Sequence, residues 1–444
     1  MNYLNILLIG HGAREHAIAQ ALAKNSDTKL YSIMAHANPG IMQLSENFFL
    51  TKVTDSEKIC KYALEQSVDF AVMGPEAPLI EGVADALAEV GVVSFGPTKR
   101  FAQLEGSKGF ARSLMKRNAI AGQPKFRVFT TAEDLGDLRL FVQEIGPCAV
   151  KADGVMGGKG VKVWGEHINS VDEAAAWAKE IFDSGMGVVV EEKLEGEEFS
   201  LQSITDGDTL LHTPPVQDHK RAFDGDKGPN TGGMGSYSCE NHSLPFLSKE
   251  DLESAQKITE KVLPAIKREL GGKYVGVLYG GFMATADGVK LIEYNARFGD
   301  PETMNTLPLL KNDFSELCRM AVQGNLAQAG ELEFAPLASV CKYFVPEGYP
   351  DAPMRGKQVL VDKQAIEQSG AKLYYGSIEQ REGVMLTTSS RSVAVLGTGK
   401  NLLEAEEMAR AASAHIRGSV FCRKDIGTAQ LIEKRVAHMN KLRG

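Results

Sequence analysis

The sequence has few of the residues that mark metal-binding and disulfide-rich proteins. Its six cysteines are scattered through 444 residues without a CxxC pair, and none of its nine histidines pairs at HxH or HxxxH spacing. These absences disfavour a disulfide framework and a zinc site, and they predict a cytoplasmic protein with reduced thiols. A G-x-S-x-G motif is also absent, which disfavours an α/β-hydrolase.

A long hydrophobic run and an excess of positive charge are absent as well. No stretch reaches the roughly 18 apolar residues of a membrane span, so we expect no membrane partner. Lys and Arg number 49 against 57 Asp and Glu, a net charge of −8. This balance argues against a nucleic-acid partner held by an overall basic field, although it leaves room for a local phosphate pocket.

What is present is the composition of a globular protein, with 43% hydrophobic and 24% charged residues. At about 150 residues per domain, the length predicts about three domains. Apolar runs at 4–9, 30–34, 69–73 and 92–95 alternate with helical patterns at 14–24, 55–66 and 79–90. This alternation predicts a doubly wound Rossmann-like domain that binds ligands beyond the carboxyl ends of its strands.

The pattern changes after about residue 125 to strand, helix, strand, a glycine-rich loop over 154–160 and a further strand. A P-loop would lead into a helix instead. The polar segment 217–236 has no periodicity, which predicts a long functional loop. Further elements are expected as a helix at 248–270, a hairpin of 274–284 with 289–295, and a final α+β unit with strands at 339–345, 384–388 and 392–397 and one helix at about 401–416.

Four segments carry candidate chemistry, and the first is the turn over 10–16 (GHGAREH). A dinucleotide fingerprint would place a small residue at position 15 and an acid near the end of the second strand, and the sequence has neither. The turn is better interpreted as presenting backbone N–H groups and Arg14 to an anion at a helix N-terminus. A tight turn without a ligand is the alternative.

The second and third segments have features of a nucleotide site. In 151–160 (KADGVMGGKG), the glycines let the backbone approach phosphate oxygens, and Lys151 ends a strand from which it could reach an anion. In 188–198 (VVVEEKLEGEE), a buried strand leads into a segment whose backbone could bind an adenine edge and whose carboxylates could accept from ribose hydroxyls. A glycine-rich hairpin with solvated lysines and a solvated acidic turn are the respective alternatives.

The fourth segment, 290–302 (KLIEYNARFGDPE), has the ligands of a hard cation. Side chains alternate along a strand, so Glu293 and Asn295 share a face about 7 Å apart, and their oxygens suit Mg²⁺. Arg297 beside them could hold a carboxylate in a bidentate pair. A polar strand edge followed by an Asp-Pro turn is the alternative.

The order of these segments resembles the ATP-grasp superfamily, and within it the family of glycinamide ribonucleotide synthetases, or phosphoribosylamine–glycine ligases. The identifying strings run in order over nearly the whole chain: GPEAPL (74–79), FGPTKRFAQLEGSK (95–108), QDHKR (217–221), GPNTGGMG (228–235), RFGDPET (297–303) and FCRKDIG (421–427). The first turn departs from the family pattern, because His11 and Ala13 stand where an amide and a glycine are usual. Ala296 replaces a usual cysteine.

The resemblance implies a role for named residues. The ATP-binding set would be Lys108, Lys151, Gly157, Gly158, Lys159, Gly160, Glu191, the backbone of Leu194, and Glu198. Glu293 and Asn295 would bind Mg²⁺ or Mn²⁺. The substrate set would be Gly12, Glu76, Ala77, Pro78, Leu79, Asp218, Lys220 and Arg297, with Lys151, Asp218 and Arg297 as the catalytic residues.

It also implies an organisation and an activity. A pre-ATP-grasp α/β domain would span 1–104, a two-lobed ATP-grasp domain 105–330 with a small mobile lobe at about 125–195, and a C-terminal α+β domain 331–444. The family joins glycine to 5-phosphoribosylamine with ATP, through glycyl phosphate, in de novo purine (IMP) biosynthesis. We expect a monomer or a weak dimer.

Three other functions stay open from the residues alone. The first is another ATP-grasp carboxylate–amine ligase or a biotin carboxylase-like enzyme. The second is a nucleotide-binding sensor without turnover. The third is a dehydrogenase, which the missing acid near Met34 disfavours.

Overall fold

A computed structural model describes residues 3–156 and 160–444 of the chain. The protein has the predicted mixed architecture, with a parallel N-terminal sheet followed by antiparallel sheets. No helix within these described ranges is long and apolar enough to cross a membrane.

The N-terminal unit is a five-stranded parallel sheet in the order β3-β2-β1-β4-β5. β1 has the predicted bounds because its continuous apolar run is buried on both faces of the sheet. The strand order reverses between β1 and β4, which creates a crevice beyond their carboxyl ends. Its elements are β1 (Leu4–Ile9), α1 (Ala13–Leu22), β2 (Thr28–Met34), α2 (Pro39–Leu44), β3 (Asn47–Leu50), α3 (Ser56–Glu65), β4 (Phe70–Met73), α4 (Glu76–Glu81), α5 (Val83–Glu89) and β5 (Val93–Phe95).

The single helix predicted for 79–90 was wrong. Gly82 adopts a left-handed conformation with φ 84° and separates α4 from α5. A residue without Cβ adopts this conformation at little cost, so the glycine ends one helix where the apolar periodicity continues.

Two helices, α6 (Lys99–Gly106) and α7 (Lys108–Arg117), lead into a small lobe. Its antiparallel sheet has the order β6-β9-β7-β8. The predicted strand–loop–strand order around the glycine-rich segment is confirmed, since β7 ends at Ala152 and β8 begins at Val161. The elements are β6 (Phe126–Phe129), α8 (Leu135–Ile145), β7 (Cys148–Ala152), β8 (Val161–Val163), α9 (Val171–Asp183) and β9 (Val188–Glu192).

The large lobe is built on the antiparallel sheet β11-β10-β16-β17. The predicted helix and hairpin are confirmed: Ser248 caps α10, and β16 and β17 pair. Segment 217–236 was expected to be a loop, but it forms short strands of two to four residues, too short to show a period in the sequence. The elements are β10 (Glu197–Thr205), β11 (Leu210–His212), β12 (Gln217–Asp218), β13 (Arg221–Phe223), β14 (Lys227–Asn230), β15 (Gly235–Ser238), α10 (Lys249–Leu270), β16 (Gly276–Thr285), β17 (Gly288–Asn295), α11 (Thr303–Thr306) and α12 (Phe314–Gln323).

The C-terminal unit shares a sheet with the large lobe, because β18 pairs with β15 on one side and β23 on the other. The sequence predicted one helix here, whereas the structure adds a short helix before β20 and a long one at the C-terminus. The elements are β18 (Ala338–Pro346), β19 (Val359–Val361), α13 (Lys363–Gln368), β20 (Lys372–Tyr375), β21 (Ile378–Arg381), β22 (Val384–Thr387), β23 (Val393–Gly399), α14 (Leu402–Ser413), β24 (Ile416–Gly418), β25 (Val420–Phe421) and α15 (Ala429–Arg443).

Candidate active site

A polar cavity lies over one face of the large-lobe sheet, where β10, β12, β16 and β17 meet. Four residues of its lining belong to the predicted site, and the sequence reasoning missed Tyr279 and Glu302. The charged or phenolic side chains of the lining are Glu198, Asp218, Lys220, Tyr279, Glu293 and Glu302.

Lys151 and Glu191 meet on adjacent strands of the small lobe. The Lys151 ammonium lies 2.7 Å from Glu191 Oε2, and Arg112 from α7 donates to both oxygens of the same carboxylate, at 2.6 and 3.0 Å. Burial alone would raise the pKa of Glu191, but Arg112 and Lys151 lower it to about 2. The Glu191 side chain is therefore bound within this ion cluster, and its backbone is paired with Phe126 of β6 and Ala149 of β7.

Lys108 stands at the start of α7, next to the glycine-rich loop. Its Nζ donates to the Gly154 carbonyl at 2.9 Å. Burial lowers its pKa, with a further contribution from the charge of Lys151, while Glu293 opposes the shift. The charges of Lys108 on α7 and Lys151 on β7 thus both act on Glu293 from different elements.

Asp153 holds the start of the glycine-rich loop against α7. Its carboxylate accepts from Ser107 Oγ at 3.1 Å and from the Gly109 amide at 3.0 Å. Gly160 closes the loop, because its carbonyl accepts from Ala152 N at 2.8 Å. The predicted residues Gly157, Gly158 and Lys159 lie outside the described residues.

The segment after β9 carries the other predicted nucleotide contacts. Leu194 is half-buried, and its backbone makes no hydrogen bond to any residue within 3–156 or 160–444. The Glu198 carboxylate lies 3.1 Å from Lys220 Nζ. The charge of Glu198 raises the pKa of Lys220, so the two side chains form an ion pair at the cavity rim.

Glu293 and Asn295 occupy β17, as predicted. A β-bulge at Ile292 shifts the register so that Glu293 lies opposite Gly281, which adds no side chain beside it. Burial would raise the pKa of Glu293, but Lys220, Lys108 and Lys151 together lower it. In the described part of the chain no cluster of three or more His, Cys, Asp or Glu could hold a metal by itself.

Asp218 forms a carboxylate pair with a residue that sequence reasoning missed. Burial and the neighbouring charge of Glu302 raise the pKa of Asp218 well above its usual value. Glu302 accepts from Tyr279 OH at 2.7 Å. Two neighbouring carboxylates, of which Glu302 is buried and Asp218 half-buried, form an environment that favours a cationic group.

Arg297 leaves the end of β17 and reaches the N-terminal unit. Its Nη2 lies 3.1 Å from Glu105 Oε1, and its Nε lies 3.5 Å from Glu76 Oε2. That buried Nε has no hydrogen-bond partner among the residues that the structure describes. The charges of Arg297 and Arg14 lower the pKa of Glu76, although burial acts the other way.

In the turn between β1 and α1, the backbone donor is bound by a side chain of α1. Glu15 accepts from the Gly12 amide and from Arg14 Nε, both at 2.6 Å, and Arg14 also donates to the Phe298 carbonyl at 3.1 Å. The backbone donor that the sequence offered to an anion is thus bound to Glu15. The remaining predicted substrate residues lie at the start of α4, where Ala77 is exposed while Pro78 and Leu79 are buried.

The structure therefore places four of the predicted residues, Glu198, Asp218, Lys220 and Glu293, in one cavity. It adds Arg112, Glu105, Tyr279 and Glu302, of which Glu105 and Glu302 lie inside the motifs FAQLEGSK and RFGDPET. Arg112 and Tyr279 carry no sequence signal that would have singled them out.

Family profiles match this chain in three consecutive regions. They are the N domain of phosphoribosylglycinamide synthetase over 4–105, its ATP-grasp (A) domain over 106–303, and its C domain over 339–429.

Full-length relatives agree with these matches. The chain is 49% identical to the phosphoribosylamine–glycine ligase of Methanocaldococcus jannaschii and 46% identical to that of Methanosarcina barkeri, each over 99% of this chain and 100% of the relative.

Solved structures extend the likeness to three dimensions. The crystal structure of the Thermotoga maritima phosphoribosylamine–glycine ligase superimposes with a TM-score of 0.80 at 28% identity, covering 95% of this chain and 100% of that one. The biotin carboxylase domain of the Hydrogenobacter thermophilus 2-oxoglutarate carboxylase shares the fold, with a TM-score of 0.73 at 16% identity over 99% of this chain and 94% of that one. The chain therefore belongs to the phosphoribosylglycinamide synthetase family of ATP-grasp proteins.

Proposed function

We propose that this chain joins glycine to 5-phosphoribosylamine at the expense of ATP, giving glycinamide ribonucleotide, ADP and phosphate in purine biosynthesis. The observation that carries the proposal is the position of β17 between two half-sites. Glu293 on this strand faces the charges of Lys108, Lys151 and Lys220, and Arg297 just beyond it reaches the N-terminal unit.

The nucleotide half-site would hold ATP between the two lobes. Lys108 and Lys151 supply positive charge toward the phosphates, together with the loop that contains Gly157, Gly158, Lys159 and Gly160. Glu191 and the backbone of Leu194 would form the adenine hinge, and Glu198 would accept from the ribose. Glu198 is now paired with Lys220 and would have to leave this ion pair to bind the ribose. The ion pair is only partly buried, so breaking it costs little.

Glu293 and Asn295 would hold Mg²⁺ or Mn²⁺. A carboxylate kept ionised by neighbouring lysines and an amide oxygen on the same face fit a hard cation that takes its other ligands from phosphates and water. Such an ion would supply charge neutralisation for the transferred phosphoryl group.

In the first step a glycine carboxylate oxygen attacks the γ-phosphorus, and the bond between this phosphorus and the leaving ADP oxygen breaks. The product, glycyl phosphate, has the leaving group that a free carboxylate lacks. Asp218 and Glu302 would bind the glycine ammonium, since a cation between them relieves the repulsion that raises the pKa of Asp218. Positioning and electrostatics, rather than a protein nucleophile, account for this step.

In the second step the amine of phosphoribosylamine attacks the glycyl carbonyl carbon. Phosphate leaves with the anhydride electrons, and the amine nitrogen loses a proton. Arg297, whose Nε makes no hydrogen bond to the described residues, would stabilise the oxyanion. Gly12, Glu76, Ala77, Pro78 and Leu79 would line the sugar-phosphate side at the crevice between β1 and β4.

Mass spectrometry with carbon-13-labelled glycine tests the proposal. We expect a labelled product whose mass equals glycine plus phosphoribosylamine minus water, formed only with ATP and with one ADP per product. Parallel reactions with bicarbonate or with other amino acids should give no ATP-dependent product. Turnover with bicarbonate instead would identify a biotin carboxylase-like enzyme, and nucleotide binding without ADP release would identify a sensor.

We also propose that the protein is cytoplasmic and is a monomer or a weak dimer. Its domain boundaries would lie near residues 104 and 330. All six cysteines are free thiols, as expected in a reducing compartment. Light scattering across a concentration series measures the oligomeric state.

A further inference from the structure

Glu105 stands directly behind the arginine that the proposed second step requires. Its Oε1 lies 3.1 Å from Arg297 Nη2, and its Oε2 accepts from the Ala296 amide at 2.8 Å. One carboxylate therefore fixes the guanidinium and the backbone that carries it. Its side chain is only 5% exposed, so solvent does not compete for these contacts.

The other contacts of Arg297 are weaker or do not orient it. Glu76 is at 3.5 Å and 34% exposed, and Asn295 Oδ1 is at 3.4 Å from Nη2. Arg297 Nη1 donates to the carbonyl of the adjacent residue Phe298 at 3.1 Å. Glu105 is thus the one buried carboxylate in close contact with Arg297 in the described structure.

The location of Glu105 connects this arginine to the nucleotide half-site. Glu105 lies near the end of α6, and the following residues start α7. Ser107 and Gly109 bind Asp153, and Lys108 binds Gly154, at the base of the glycine-rich loop. Four of the five residues 105–109 therefore contact either the arginine of one half-site or the base of the glycine-rich loop of the other.

We infer that Glu105 is a positioning residue, which orients Arg297 toward the glycyl carbonyl while the amine attacks. This inference rests on the proposed function. Glu105 has both oxygens occupied by Arg297 and Ala296 and does not touch the cavity lining. Its effect on the reaction would therefore pass through Arg297 and the backbone of Ala296 that carries it.

A double-mutant cycle on Glu105 and Arg297 tests the inference. We would measure steady-state ligation with ATP, glycine and phosphoribosylamine formed in situ from ribose 5-phosphate and ammonia, using E105Q, R297K and the double variant. E105Q is expected to lower kcat/KM for phosphoribosylamine about 10²-fold, the loss typical of a misplaced oxyanion donor. The KM for ATP should stay at the wild-type value, because the nucleotide contacts are intact.

The double variant distinguishes positioning from a general packing effect. If Glu105 acts through Arg297, E105Q/R297K should be no slower than R297K alone, since effects of residues that act as a unit do not add. Multiplicative losses would overturn the inference, and so would wild-type kinetics in E105Q.

Two control variants test whether the kinetic losses have a trivial cause. E105D retains the charge and checks folding by thermal denaturation, and E89Q changes an exposed glutamate on the neighbouring helix α5. E89Q should match the wild type. A wild-type chain that formed no glycinamide ribonucleotide would refute the proposed function itself, a result distinct from failure of the cycle.

Discussion

At the scale of single residues, the cluster Arg112–Glu191–Lys151 explains how a lysine can stay in a buried strand. Arg112 and Lys151 share the Glu191 carboxylate, and this pairing offsets the cost of burying the Lys151 ammonium. A triphosphate would provide a second anionic partner for the same ammonium. Under the proposed function, the cluster would hold Lys151 at a defined place on β7 for a phosphate contact.

Replacing Lys151 by methionine should lower kcat/KM for ATP by about 10²-fold or more, because a preorganised charge at the phosphates is lost. Arg112 still neutralises Glu191 in this variant, so the fold is retained. A coupled ADP assay gives the rate constants.

Lys24→Met provides the matched control, since Lys24 is an exposed lysine after α1, outside the cleft. Equal kcat/KM values for ATP in the two variants would contradict the proposed role of Lys151 at the phosphates.

At the scale of elements, the path from the small lobe into β10 depends on Gly196. A Cβ at this position would lie 1.8 Å from the Ala284 carbonyl oxygen, on the neighbouring strand β16. Glu197, directly after it, pairs in register with Ala284. Only a residue without a side chain lets β10 begin here, and Glu198 follows at the cavity rim.

Gly196→Ala should therefore displace the start of β10 and destabilise the protein by about 1–3 kcal/mol, the usual cost of forced overpacking. It should also raise KM for ATP, because Glu198 and the backbone of Leu194 move with the strand. Urea unfolding and steady-state kinetics measure the two effects.

Gly136→Ala in α8 is the control for this change. A Cβ there meets nothing within 4 Å, so the helix should gain up to about 1 kcal/mol relative to glycine. Equal unfolding free energies for both alanine variants would contradict the role given to Gly196.

Elements with strong periodicity or a clear cap could be predicted from the sequence. β1 is a continuous apolar run, and α10 starts at the capping serine Ser248. The last helix, α15, was missed because several of its charged side chains are paired in the fold. Arg435 binds Asp226, and Arg443 binds Asp251, so the charges conceal which face is buried.

The candidate site residues also divide into those that local sequence spacing could select and those that only contacts between distant segments bring together. Glu293 and Asn295 alternate within one strand, and Lys151 stands in a recognisable motif, so local spacing was enough to select them. Glu105 and Arg297 are 192 positions apart, and only the docking of α6 against the end of β17 brings them together. No local sequence pattern predicts the contact between Glu105 and Arg297. None predicts that Glu15 accepts from the Gly12 amide either.

At the scale of the whole molecule, the C-terminal unit ties the N-terminal unit and the large lobe together. Arg391 of this unit donates to the carbonyls of Gly232 and Asp300, both in the large lobe, at 2.6 and 3.0 Å. Tyr375 of β20 is bound to the N-terminal unit through both backbone groups. Its amide donates to His16 Nδ1 at 3.0 Å, and its carbonyl accepts from Asn38 Nδ2 at 2.7 Å.

This docking requires a neutral His16, which makes the assembled fold sensitive to acid. The His16 ring is buried and stacked on Tyr375, with ring centroids 5.7 Å apart, and burial lowers its pKa to about 3. The unfolded chain takes up the proton near pH 6.5, so the contribution of His16 is complete above that pH and is lost as the pH falls below it. Between pH 6.5 and pH 5 we expect the free energy of unfolding to fall by roughly 2 kcal/mol on account of His16. Burial also lowers the pKa of His219 to about 3, so this residue adds to the loss of unfolding free energy over the same pH range.

His16→Asn offers Tyr375 an acceptor that does not titrate. Urea unfolding of this variant should therefore show a smaller loss of unfolding free energy between pH 6.5 and pH 5 than the wild type. Identical pH dependence in both proteins would show that acid acts elsewhere than at this contact between the units.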